Sequence, residues 1–151
     1  FDFAEYLRFE AIKTSAYQPL AQVAKKSFGE VKYHTMHANT WVYQLGHGNE
    51  ESNSKMQESL NFAWNYALGM FEPGPAEEML INENIFIGEE ALQAKWLEIV
   101  IPLLEKSNLI IPEKSSWAPI YGGRIGNHTS HLQPLLSEMT EVYSIDPSAD
   151  W

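Results

Sequence analysis

Cysteine is absent from the 151 residues, which excludes disulfides, thiolate zinc sites and cysteine nucleophiles and says little about compartment. Basic residues are scarce. Ten Lys and Arg stand against twenty Asp and Glu, a net charge of -10 that repels phosphate backbones and anionic lipid, so nucleic-acid and membrane-surface roles are disfavoured. Long apolar runs are missing too: "IVIPLL" and "LIIP" fall far short of the roughly 20 residues needed to cross a bilayer. No signal-peptide pattern opens the chain, and cytoplasmic placement is expected. No segment alternates with period two, and there is no internal repeat or low-complexity tract. A Gly-x-Ser-x-Gly nucleophile motif does not occur, and Ser130 beside His131 points its side chain away from the imidazole.

What remains is an aromatic-rich chain with helical periodicity. Hydrophobic content of 44% with 13% aromatics predicts one compact globular domain over residues 1–151. Phe3, Leu7 and Ala11 predict a helix to about Thr14, and Pro19 is placed to open a second helix that Gly46 and Gly48 end. Because the pattern is helical from Phe1, with no initiator Met, an upstream part is expected. Asn49 is the predicted N-cap of a third helix, with Glu50 and Glu51 in its first turn and Met56, Leu60, Ala63, Ala67 and Met70 as its buried stripe. A short helix is expected from Pro75. Another is expected from Glu89 to Asn108, kinked or shortened by Pro102. The stretch "LIIPEKSSWAPIYGGRIGN" reads as a packed loop. A last helix is expected over 128–144, with Pro134 implying a late start or a bend.

The candidate chemistry lies on two of these helices. Glu30, His34, His37, Trp41 and Leu45 share one face of the second helix, and Trp41 and Leu45 mark that face as inward. Carboxylate-bridged di-iron sites in four-helix bundles draw a Glu from each of two helices and a Glu-x-x-His from the other two, so that oxygen and nitrogen meet one metal. Here Val31 stands three residues before His34, with Glu30 one position too early, and His128 stands three before His131. Neither motif is intact, so the expectation is no catalytic, cofactor-binding or metal-binding residue. Glu30, His34, His131 and Glu138 form a vestigial or alternative metal face. His128 and His131 with Glu138 as a zinc set, and Gly122 to Gly126 with Arg124 as an anion loop, are weaker readings.

The E-x-x-x-H with following His and Trp (Glu30 to Trp41), the Leu-Gly-x-Gly turn at Leu45 to Gly48 and Lys55-Met56-Gln57 form one set of marks. The run from Gly122 to Leu132, Glu138-Met139 and the terminal Trp151 form another. Together they resemble the C-subunit family of phenylacetyl-CoA epoxidase over nearly all of the chain. The resemblance implies an all-α, ferritin-like helical bundle that lacks its first helical hairpin in this chain. The uncovered apolar faces of the first two helices would then be covered by another chain or an upstream segment. It implies a non-catalytic structural subunit of an aromatic-ring monooxygenase in phenylacetate degradation, with no catalytic residues of its own. That subunit stabilises a catalytic A subunit, which carries the iron and epoxidises the ring. No cofactor is expected in this chain, and the coenzyme A substrate site is expected on the partner. Ser130, where many relatives carry Glu, is a departure from the family pattern. A homodimer and a free-standing di-iron oxidase or metal-binding protein remain open as alternatives.

Overall fold

The computed structural model describes residues 1–150; Trp151, one of the marks of the resemblance, lies outside the described residues. The chain divides into two compact units, Phe1–Tyr121 and a second from Gly122 onward. Every regular element among the described residues is helical. The first unit holds α1 (Asp2–Ile12), α2 (Gln18–Gly46), α3 (Glu50–Gly69), α4 (Glu77–Asn82) and α5 (Glu89–Lys106).

Local chemistry accounts for where these helices start and stop. Pro19 sits in the first turn of α2, where a missing N–H goes unnoticed and the fixed φ already suits a helix. The Asn49 side chain accepts from the Ser52 N–H at 2.9 Å, and Glu50 and Glu51 complement the dipole at the start of α3. Two helices end with the same device. Asn84 after α4 and Asn108 after α5 have φ of 55° and 57°, left-handed values that asparagine tolerates better than most side chains. The Leu109 N–H then reaches back to the Leu104 carbonyl and the Asn108 N–H to that of Glu105, while Ile85 and Asn84 repeat the pattern on Leu80 and Ile81. Leu104 and Leu109 are both buried, which completes the motif with an apolar contact. Helix α5 runs through Pro102 to Lys106 and is not shortened there.

The core joins Trp64, Leu68 and Phe71 to Leu92, Trp96, Val100 and Leu104 of α5, with Ala4 and Leu7 of α1 against them. Trp96 lies 5.7 Å from Trp64 and 5.5 Å from Phe71 between ring centroids. Of the stripe expected on α3, Met56, Leu60, Ala67 and Met70 pack against the core and Ala63 is exposed, while Trp64 and Leu68, outside that stripe, are the side chains most deeply buried. An indole buries far more apolar area than an alanine methyl, so the helix turns its tryptophan inward.

Of the packed loop expected over 109–127, residues 109–121 lie in the first unit and are fastened to α3 by the side-chain amides of Asn53, Gln57 and Asn65. Asn53 donates to the carbonyls of Gly46 (2.8 Å) and Asn108 (3.0 Å). Gln57 both donates to the Ile110 carbonyl and accepts its N–H at 2.8 Å, and Asn65 accepts the Ala118 N–H at 3.0 Å. Across the bundle, the Arg8 guanidinium of α1 pairs with the buried Glu89 carboxylate at the start of α5. The Glu89 N–H donates in turn to Glu77 at 2.7 Å.

The second unit holds a 3-10 turn (Gly123–Ile125), α6 (Leu132–Met139) and α7 (Glu141–Ile145). The helix expected over 128–144 is thus two helices. Its late start places Pro134 in the first turn, and it breaks at Thr140, whose hydroxyl donates to the Leu136 carbonyl at 2.7 Å while its own carbonyl accepts from Ser144.

Candidate functional site

The inward face expected on α2 is overturned. Glu30, His34, His37, Trp41 and Leu45 do not enter the core: all five are exposed, Trp41 by 51%. The residues that α2 buries are Ala21, Ala24, Val31, Thr35 and, at its end, Gly46, and the half-buried Ala38 and Val42 extend that side of the helix. Their small size is the reason: it lets α2 approach α1 closely, where an indole would hold the two helices apart. Thr35 can be buried because its hydroxyl donates to the Lys32 carbonyl at 2.7 Å.

Glu30 and His34 remain neighbours on one exposed face of α2, one helical turn apart. His131 occupies the N-cap position of α6 and Glu138 its last turn, both exposed and both in the second unit. Among the described residues no three His, Asp or Glu side chains gather as a cluster able to hold a metal ion. A di-iron centre needs carboxylates and imidazoles converging inside a bundle, and the exposed Glu30–His34 pair of the first unit does not by itself supply such a set. The glycine loop is equally plain in its geometry. Gly122 and Gly126, at φ of 117° and 88°, flank the 3-10 turn, and the N–H groups of Ile125, Gly126 and Asn127 donate to the Gly122 and Gly123 carbonyls. Those amides are engaged within the turn instead of converging on an anion.

Two features escaped the sequence reading. The first is Glu89, only 2% exposed and paired with Arg8, which no spacing rule connects across 81 positions. The second is the charge of α2. It carries Lys25, Lys26 and Lys32 against Glu30, whereas each other α-helix among the described residues has more Asp and Glu than Lys and Arg. Counting charge by helix would have found it. Beside it a trough of about 610 Å³ opens between α1 and α2, lined by Phe3 and Tyr6 on one side and Lys32, Tyr33 and Met36 on the other.

The architecture is that of an all-α, ferritin-like helical bundle, with no group of three His, Asp or Glu able to hold a metal ion among the described residues. The chain belongs to the phenylacetic acid catabolic protein family, whose model matches residues 1–151. It is similar to the C subunit of the 1,2-phenylacetyl-CoA epoxidase of Escherichia coli (strain K12), at 29% identity over 143 residues. That match covers 95% of this chain and 57% of the relative, so the chain spans little more than half the relative's length. No helix among the described residues is long and apolar enough to cross a membrane.

Proposed function

We propose that residues 1–151 act as one ferritin-like module of a non-catalytic structural subunit in a phenylacetyl-CoA 1,2-epoxidase, stabilising the subunit that carries the di-iron centre. The observation that carries this reading is the pairing of a family match along the whole chain with a displaced Glu30–His34 pair on an exposed face of α2 that belongs to no metal-holding cluster among the described residues. Exposed apolar side chains of α2 support it: Val23, Tyr33, Met36 and Trp41 are open to water, as expected of a face that is covered in an assembly. In this reading the iron, the chemistry of ring epoxidation and the main coenzyme A contacts belong to the catalytic subunit. The complex is cytoplasmic, and self-association of this chain is secondary to it.

Co-expression with the catalytic subunit tests the proposal. The two chains should purify together, and iron should track the catalytic subunit alone. His34→Ala and His131→Ala should leave iron content and turnover of the complex unchanged. An iron complement near two per chain in this protein purified by itself, lost in those variants, would establish the di-iron oxidase instead.

A further inference from the structure

We propose that residues 72–85 form a strap that opens from the first unit as one piece, with the Glu77 carboxylate as its latch. The strap runs between two aromatic anchors. Phe71 is buried with its ring centroid 5.5 Å from that of Trp96, and Phe86 packs against the same core. Between these anchors α4 buries none of its side chains, and Met79 and Ile81 stand open to water. Little apolar area holds the segment down, so its closure rests on polar contacts.

The half-buried Glu77 makes the decisive ones. One of its carboxylate oxygens accepts the Glu89 N–H at 2.7 Å, and the other accepts the Gly74 N–H at 3.2 Å. Glu89 is the first residue of α5, and Gly88 before it supplies no side-chain cap. A carboxylate carried by the strap therefore satisfies a donor that the start of α5 would otherwise leave bare, with a charge that suits the helix dipole. Hydrogen bonds to an ionised acceptor are stronger than neutral ones, which makes this one side chain the natural catch. Near the other end the Asn84 carbonyl accepts the Ala16 N–H at 3.0 Å and ties the strap to the turn between α1 and α2. A hollow of about 390 Å³ lies there, with Thr14 and Ser15 on one wall and Ile81, Asn84 and Ile85 of the strap on the other. Ser15 is only 3% exposed. Opening of the strap uncovers that wall while the core around Trp64 and Trp96 stays packed.

Hydrogen exchange followed by NMR, together with thiol labelling, tests this on the full chain. Because cysteine is absent, Ser15→Cys places a single thiol on the covered wall. In the wild type the amides of Leu80, Glu83, Asn84 and Ile85, each bonded within the strap, should exchange together and faster than those of α3 and α5. Glu77→Ala should speed both their exchange and the labelling of Ser15→Cys at least about tenfold. Glu77→Gln keeps an acceptor without the charge and should fall between. Glu78→Ala, an exposed neighbour on the same helix, should change neither. Strap amides exchanging in step with α3 and α5 would overturn the proposal, as would an equal acceleration of every helix by Glu77→Ala. Labelling unchanged by Glu77→Ala would show that the strap does not cover the wall, and would overturn it too. If Ser15→Cys does not fold, the exchange data decide alone. Each of these outcomes leaves the structural-subunit reading where it stands.

Discussion

At the scale of single residues, three glycines in the first unit illustrate how different the demands on one residue type are. A Cβ on Gly46 would run into the Ser107 carbonyl oxygen, and one on Gly69 into that of Ile120, both rigid backbone groups. Gly46→Ala should therefore destabilise the fold by about 1–3 kcal/mol, measured by urea unfolding. Gly29, inside α2, has nothing within 4 Å of the place a Cβ would take and no positive φ, so Gly29→Ala should stabilise by about 0.5–1 kcal/mol in the same experiment. Arg8 is the partner of a carboxylate whose side chain is 3% exposed, while its own is 26% exposed. Removing it by Arg8→Ala leaves Glu89 buried beside a lost cation. The expected loss is about 2–3 kcal/mol, below the full figure for a buried pair because water reaches the guanidinium. Asn108→Ala forces a less tolerant side chain into the left-handed region and should lose about 1–2 kcal/mol, whereas Asn108→Gly should be near neutral.

At the scale of elements, the segment 108–121 has no regular structure beyond a 3-10 turn at Lys114–Ser116, yet it is held in one path by Asn53, Gln57 and Asn65. Trp117 adds a ring contact to Trp64 at 5.3 Å and donates its indole N–H to the Pro112 carbonyl. Gln57→Ala removes both bonds to Ile110. Hydrogen exchange should show the Ile110 amide losing protection while the amides of α3 and α5 keep theirs, because the lost bonds lie at the surface and the helices rest on a separate core. That this loop packs was legible in its Trp and Pro content. How it packs was not, since the three amides that hold it lie more than fifty positions away in the sequence.

At the scale of the whole molecule, the distribution of tryptophan offers a direct readout of association. Trp64 and Trp96 are buried, Trp117 is half-buried and Trp41 is exposed on α2. Acrylamide quenching of a Trp41→Phe variant should fall below that of the wild type. If a partner covers this face of α2, the wild-type quenching should fall toward the same value on complex formation; equal quenching before and after would place the contact elsewhere.

The sequence by itself determined the helices, most of their stops and the broken ligand motifs. Proline at a first turn, asparagine at an N-cap and glycine at a helix end act through neighbouring backbone groups, and Val31 before His34 is a matter of spacing. Only the tertiary structure decided that α2 buries its small residues and leaves Trp41 outside. Trp41 and Trp64 carry the same side chain on long amphipathic helices, and one is exposed while the other is buried. The physical reason is that burial depends on a neighbour: Trp64 meets Trp96 and Trp117 across the core, whereas the small residues of α2 take the close approach to α1 and leave Trp41 on the far side.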